Sequence, residues 1–518
     1  MSRFAPVAPL FQTDAYKLGH IRQYELAGHT TKVYSNFTNR KSRINGITHV
    51  VHFGLQAFLQ RYAIDAFVPF FEADEDLVAA LYEERVTRIL GPNNIGSDHI
   101  RALHRKGYLP LEFKAVKEGT PVPIGVPSFT VENTEPEFFW LTNYIEAVLS
   151  AEVWQASTSA TIAHNFRKIL VRGAERTGGD VAFVDWQGHD FSYRGMSSSE
   201  TAAASGAGHL LSFTGTDSLV SLEWIDDYYG GEYTAGSVPA TEHSVMCTGI
   251  ATIGERELFR RLLASYPVGL VSVVSDTFDL WKVLTDYLPS LHDEVMARDG
   301  KIVVRPDSGN PVDILTGNVQ PLHEVRGEES LADAFADDIR ERSPEQKGVV
   351  ELLWEEFGGT VNAKGFKELD SHVGVIYGDS ITAERAQAII DRLAAKGFAS
   401  TNVVFGIGSF TYQYNTRDTF SSAIKATLAE VDGEEYNLFK NPVTDDGTKK
   451  SATGRLAVLR DADGKLYLQQ KATPEQEAAS ELQTVWKNGK FTRFQTFADV
   501  RETLAAESLV QEAVALTV

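Results

Sequence analysis

The spacing of apolar and polar positions changes character along the chain. Over residues 1–150, short alternating runs mix with helical ones. Thr31–Arg40 alternates as a strand. Pro110–Thr134 also alternates and is broken at Gly119, Pro121, Pro123, Gly125 and Pro127, which predicts a small antiparallel sheet. Phe138–Trp154 then places apolar residues at helical spacing. From about Val181 the pattern becomes repeated strand–loop–helix units. The predicted strands are Val181–Trp186, His209–Phe213, Gly269–Ser275, Lys301–Val304, Val373–Tyr377 and Asn402–Gly406. Short apolar runs without alternation suit parallel strands covered on both faces. Helices fit behind several of them: the stretch SDTFDLWKVLTDYL opens on a Ser/Asp cap, and Thr382 and Gly397 bracket TAERAQAIIDRLAAKG.

Repeated β–α alternation implies a parallel sheet. Six strands around a common polar edge favour an irregular, TIM-like α/β barrel over an open doubly wound sheet. The barrel is expected to span 151–429, with an acidic, helical insertion at 313–368 after the Lys301 strand. Past residue 430 the short strands KLYLQQ and TVWKNGKFTRFQTF return, followed by a final helix from Phe497. This β-rich tail, 430–518, is expected to pack with the mixed α+β region 1–150.

Composition narrows the class. The chain has 518 residues, enough for more than one domain and a large core. A formal charge of −21 argues against broad binding to nucleic acid or to an anionic membrane, so an anionic substrate must meet a local cluster of Arg and Lys. Cys247 is the only cysteine, which excludes an intrachain disulfide and suits a reducing compartment. The N-terminal stretch lacks the apolar core of a signal peptide, and no run approaches the ~20 residues needed to span a bilayer. A soluble, cytoplasmic protein is expected.

The chemistry gathers where the strands should end. KIVVRPDSGNP (Lys301–Pro311) runs from a buried strand into Arg305, Asp307, Ser308, Gly309 and Asn310. Polar groups past the carboxyl end of such a strand are where α/β proteins place ligands. Arg305 offers a planar fork for phosphate oxygens, and Asp307 suits a sugar hydroxyl or a hydrated metal. The same residues also make good turn chemistry, with Arg and Asp as a surface pair. Polar loops recur at the same edge: GHDFSYRG, FTGTD, SVPATEHS, VVSD, YGDS and FGIGS. Gly378–Asp379 and Gly408–Ser409 can present backbone N–H groups to phosphate. Arg40, Arg194, Arg305 and Arg417 supply charge for more than one phosphate.

The ordered set TDAYKLGH, HDFSYRG, GTD, SVPATEHS, SVVSD, RPDSGNP, YGDS and FGIGS…TRD, continued by FKNPV and TGRL, resembles the nicotinamide phosphoribosyltransferases. The resemblance covers most of the chain. It implies a type II phosphoribosyltransferase that makes nicotinamide mononucleotide and pyrophosphate from nicotinamide and phosphoribosyl pyrophosphate. It also implies Mg²⁺, ATP as activator, and a homodimer with active sites at the subunit interface. By resemblance, Phe191 and Tyr16 sandwich the pyridine, Tyr16 arriving from the partner subunit. Asp217 accepts from the carboxamide, and Ser237, Val238, Asp276 and Arg305 line the pyridine pocket. Asp217 could equally cap the helix that follows it. Arg194, Arg305, Gly378, Asp379, Gly408 and Ser409 match positions that hold the ribose and its phosphate. Asp307 matches the one that contacts the ribose and indirectly supports the metal. Arg40, Arg417 and Lys440 match residues nearer the pyrophosphate. His243 matches a histidine phosphorylated by ATP, with Glu242 a candidate to orient it. The chain departs from the animal pattern at Ser409–Phe410, where those proteins run on in glycine.

Rival readings are a nicotinate phosphoribosyltransferase, a catalytically silent nucleotide sensor, and an unrelated phosphosugar barrel enzyme such as an aldolase. The last wants a Schiff-base lysine at a strand end, and none of the predicted strands ends in one.

Overall fold

The computed structural model describes residues 5–318, 342–442, 444 and 451–515. Six strands form one parallel sheet: β1 (Gly188–Asp190), β2 (Gly215–Thr216), β3 (Val268–Val274), β4 (Asp299–Arg305), β5 (Val373–Tyr377) and β6 (Val403–Ile407). Their order across the sheet is β2-β1-β6-β5-β4-β3. The two edge strands, β2 and β3, are joined by no ladder. An extended segment spans the gap between them, with Gly236 bridging Gly215 on one side and Ala240 bridging Ser272 on the other. Backbone bonds tie it at both ends, from Thr216 N–H to Gly236 O at 2.9 Å and from Ser272 N–H to Pro239 O at 2.8 Å. The result is an irregular α/β barrel.

Its wall is apolar on both faces. Val273, Val304, Val375 and Phe405 are each at most 1% exposed, and helices Glu146–Thr177, Glu255–Ser265, Val349–Phe357 and Ala383–Ala395 bury leucine, phenylalanine and isoleucine against them. Helix Ala383–Ala395 opens where expected, Thr382 accepting from Arg385 N–H at its N-cap.

Two predicted strands are corrected. Val181–Phe183 is a 3-10 turn and Val184–Gln187 a single helical turn, while His209–Phe213 closes helix Ser199–Leu210. Short apolar runs cannot distinguish a buried helix end from a strand. Both runs do reach the core through Val184 and Phe213. The true strands lie a few residues downstream, in GHD and GT, which carry no strand signature and are set by pairing with β6 and with each other. Within 313–368 the described part contains helices Pro344–Lys347 and Val349–Phe357, then an antiparallel hairpin of Gly359–Val361 with Lys367–Leu369 that the helical expectation did not include. Residues 319–341 of that stretch lie outside the described residues.

The second layer is a seven-stranded sheet drawn from both ends of the chain. Its order is Glu434–Asn437, Ser422–Val431, Thr30–Asn39, Pro127–Asn133, Leu111–Ala115, Gln483–Lys487 and Lys490–Phe491. Thr30–Asn39, third in that order, pairs antiparallel on both sides. A separate aromatic core, including Phe37, Phe113, Phe129 and Trp486, covers one face. Ser422–Val431 follows the barrel's last loop directly, which brings this sheet to the carboxyl edge of β6.

Candidate active site

The carboxyl ends of the barrel strands carry most of the predicted residues. Phe191 follows β1, and its N–H donates to Ile407 O of β6 at 3.0 Å. Its ring lies directly on two glycines. A Cβ at Gly406 would stand 2.4 Å from Phe191 Cδ2, and one at Gly378 would stand 3.2 Å from Cε2. Any side chain at Gly406 would therefore expel the ring, and the glycines make the floor on which Phe191 presents its outer face.

Asp217 follows β2, its N–H bonded to Asp190 O at 3.0 Å. Its carboxylate does not cap the next helix, which starts at Val220 after the N-cap Leu219. Oδ1 instead accepts from His189 Nε2 at 3.0 Å and from Ser237 Oγ. Burial works against ionisation here, but the bonds from His189 and Ser237 and the charge of Arg305 hold the carboxyl below its usual range. Asp217 thus stays an anion with Oδ2 left to accept from a ligand. The sequence alone gives His189 no role; its one signal is its place in the HDF triplet with Phe191.

These residues line a cavity of about 700 Å³. His189, Phe191, Asp217, Ser237, Val238 and Arg305 form its carboxyl-end mouth, and it continues between the strands to Lys301, Val373 and Asn402 at their amino ends. The mouth is flat, partly apolar and furnished with one charged acceptor, which suits a planar ring bearing a hydrogen-bond donor.

Asp276 does not line this cavity. Its Oδ2 accepts from Asp307 N–H at 2.8 Å and Ser308 Oγ at 2.6 Å, tying β3 to the RPDSGNP loop. Its Oδ1 is buried without a hydrogen bond and stands 3.8 Å from His243 Nε2. His243 is the first residue of the exposed helix His243–Ile253. Glu242, expected to orient it, is bonded to Ser244 instead. Asp276 is the carboxylate that faces the histidine.

Arg305 and the RPDSGNP loop lie beside this pair. Arg305 Nε is buried and unpartnered, as expected of a fork waiting for an anion. The carboxyl of Asp307 is pushed up by burial, relieved by Arg305 and raised further by Asp276 and Asp379. A cation would relieve that repulsion, so the carboxylates suit a bound metal, yet no group of three or more His, Cys, Asp or Glu able to hold one forms among the described residues. The donor set fits an ion carried mainly by a ligand's own phosphates. Arg194 is exposed in the turn Tyr193–Gly195, and Gly195 packs so closely on Ser409 that a Cβ would lie 1.9 Å from its Oγ. Arg194 and the Gly408–Ser409 loop therefore form one rim. Gly408 faces open space.

Arg40, Arg417 and Lys440 gather elsewhere, in the segments flanking the seven-stranded sheet, around Lys425 on strand Ser422–Val431. Burial pushes the Lys425 ammonium down, Glu146 opposes this, and Arg40, Lys440 and Arg417 push it down further. Lys425 sits opposite Asn36 in the sheet and was not predicted. Its only sequence signal is its position eight residues past Arg417. Val443 of the FKNPV stretch lies outside the described residues. Tyr16 stands near the same group, 62% exposed, with its hydroxyl raised by slight burial and by Asp14 and Glu146. It does not line the cavity formed by its own barrel.

Known proteins show the same plan. The family model described as the nicotinate phosphoribosyltransferase (NAPRTase) family matches residues 186–490, and the nicotinamide phosphoribosyltransferase N-terminal domain matches residues 8–112. A nicotinamide phosphoribosyltransferase of Acinetobacter baylyi is 47% identical over 97% of this chain and 98% of its own length. One from Xanthomonas campestris is 34% identical over 95% of this chain and 97% of its own. Among solved structures, nicotinate-nucleotide pyrophosphorylase from Pyrococcus furiosus aligns with a TM-score of 0.56 at 16% identity, covering 98% of this chain and 99% of that one. Human nicotinic acid phosphoribosyltransferase aligns at 0.52 and 16%, covering 96% and 94%. The last two establish the fold alone. Sequence and fold together place the chain in the nicotinate phosphoribosyltransferase family, as a relative of the bacterial nicotinamide phosphoribosyltransferases.

Proposed function

We propose that this protein transfers the phosphoribosyl group of phosphoribosyl pyrophosphate to nicotinamide, yielding nicotinamide mononucleotide and pyrophosphate. The observation that carries the reading is Asp217, held as an anion by His189 and Ser237 at the mouth of a cavity floored by Phe191. A carboxamide can donate its N–H to Oδ2. A carboxylate in the same place would meet a like charge, which costs several kcal/mol in a desolvated contact.

The reaction asks for little else from the protein. The pyridine nitrogen already carries a lone pair, so it attacks C1 of the ribose without a general base. The C1–O bond to pyrophosphate breaks as positive charge builds on the sugar ring. Catalysis is then mainly placement and charge compensation. Arg305, with its free Nε, and Arg194 on the Gly408–Ser409 rim would hold the ribose phosphate, with Gly378 and Asp379 beside them. Asp307 would position the ribose and, with Asp379, support a Mg²⁺ ion whose chemistry is to neutralise the leaving pyrophosphate.

His243 would accept the γ-phosphoryl group of ATP on an imidazole nitrogen, releasing ADP, and later pass it to water. Asp276 supports this role, because it faces the ring while its other oxygen holds the loop of Asp307. The protein would work as a cytoplasmic homodimer. Tyr16 and the cations Arg40, Arg417, Lys425 and Lys440 would complete the partner's site, since Tyr16 is exposed and absent from its own cavity. A sensor reading has no use for the His243–Asp276 pair.

The test is to supply phosphoribosyl pyrophosphate, Mg²⁺ and either pyridine, with and without ATP, to the wild type and to His243→Ala. Nicotinamide mononucleotide should form in preference, with ATP raising the rate only in the wild type, and the active species should sediment at twice 57.1 kDa. Preference for nicotinate would overturn the role of Asp217. Loss of all turnover would favour the sensor.

A further inference from the structure

The carboxylate that meets the pyridine substituent is gripped by a side chain that titrates. Asp217 Oδ1 takes two donors, Ser237 Oγ and His189 Nε2, and only the second can change its charge near neutral pH. The His189 ring has little freedom to leave. It sits on β1 opposite Gly215 of β2, where a Cβ would lie 2.6 Å from its Nδ1, and its other flank packs 4.9 Å from the Phe191 ring. The charged and titratable groups around it are few. Asp217 accepts its proton, Arg305 acts on the same carboxylate from the end of β4, and His209 acts on it from helix Ser199–Leu210 behind. Asp190, its neighbour on β1, turns its carboxylate to Ser192 N–H.

We propose that His189 is a specificity-determining residue whose protonation sets how strongly the site prefers an amide to an acid. Neutral His189 donates Nε2–H to Asp217, and the pair carries one net negative charge. Protonated His189 makes the same bond, but the pair is then neutral. The amide N–H can be accepted by Oδ2 in either state. A substrate carboxylate is repelled strongly only in the first. Asp217 stays ionised throughout, because its own carboxyl is held below the usual range. The preference for nicotinamide over nicotinate should therefore weaken on acidification as His189 takes up a proton. The proposal rests on the pyridine phosphoribosyl-transfer reading.

The experiment measures kcat/KM for both pyridines between pH 8.5 and 5.5 without ATP and takes their ratio. Titration of the phosphates, and of groups away from the pyridine substituent, acts on both substrates and cancels from the ratio, and the carboxylate of nicotinate remains ionised over that range. In the wild type the nicotinate-to-nicotinamide ratio should rise by about tenfold on acidification, the size expected for cancelling one charge a few ångströms away in a partly shielded site. In His189→Gln the amide nitrogen replaces the donor but cannot titrate, so the ratio should stay flat. A flat ratio in an active wild-type enzyme, or an equal slope in the glutamine variant, would overturn the proposal and leave the function standing. If the variant does not fold, the wild-type series decides alone. No mononucleotide from either pyridine at any pH would overturn both.

Discussion

Gly406 shows how a single missing side chain shapes the site. A methyl there would stand 2.4 Å from the Phe191 ring and 2.8 Å from Gly378 Cα, inside any tolerable contact. The ring is therefore seated on main chain, and no side chain could supply so flat a floor at that height. Gly406→Ala should raise KM for nicotinamide by about tenfold or more, the loss expected when one aromatic stack is displaced. KM for phosphoribosyl pyrophosphate should change less than threefold, with the far-UV circular dichroism preserved. Equal rises in both constants would mean that Phe191 is not the pyridine's platform. Asp217 makes the same point in another way. Its local sequence offers a helix cap, but a carboxylate bonded to His189 and Ser237 has no oxygen turned toward that helix's N–H groups.

Among the elements, the segment from Gly236 to Ala240 decides whether the barrel closes. It has no strand of its own, and it joins β2 to β3 by one bridge at each end. Its far end is locked by Thr241, whose Oγ1 accepts the buried N–H of Val274 at 2.9 Å while its own N–H reaches Ser272 O. Thr241→Val keeps the shape but leaves the Val274 N–H unpaired, and should cost about 1–3 kcal/mol of stability in urea unfolding. Thr241→Ser restores the acceptor and should stay within about 1 kcal/mol of the wild type. Equal losses in the two variants would show that this bond does not hold the closure. Because Ser237 and His243 flank the same lock, the closing segment also sets the distance between Ser237 at the mouth of the cavity and His243 beside Asp276.

At the scale of the whole molecule, four histidines, with His52, His99 and His209 buried and His164 half-buried, should govern behaviour in acid. Burial is the main cause that pushes His52 down to about 3, His99 to about 4, His164 to about 3 and His209 to about 4. The folded state thus favours their neutral form, whereas an unfolded chain protonates them near ~6.5. Their contribution is complete above pH ~6.5 and is lost as pH falls toward the folded values, at about 1.4 kcal/mol per unit for each. Urea unfolding should show a loss of several kcal/mol between pH 7.5 and 5.5, up to about 5 if all four stay neutral in the folded state. A loss under about 1 kcal/mol would show that water reaches them in the folded state. These histidines are spread over the barrel and the β-rich layer. His99 packs on Trp140 of the second core, and His209 bonds Tyr412 behind the barrel site. Acid should therefore loosen both layers together.

Local pattern was enough for much of this architecture. Strands β3, β4, β5 and β6 each carry a short apolar run, within Val271–Val274, Ile302–Val304, Val373–Tyr377 and Val403–Ile407, and it is these runs that are buried. The glycine, aspartate and arginine loops after them were legible for the same reason: turn chemistry and phosphate chemistry use residue types that are recognisable singly. Strands β1 and β2 were not legible, because three and two residues of mixed polarity acquire strand geometry only from the neighbours they pair with. Partnerships across the chain were equally hidden. His189 reaches Asp217 over 28 residues and Ser237 reaches it over 20, while Asp276, and not the adjacent Glu242, faces His243. The sequence by itself determined which residues were chemically equipped and which runs had to be buried, since both depend on side-chain type and short spacing. Only the tertiary structure decided which of those residues meet, because sheet order and register set every such distance and no local pattern encodes them.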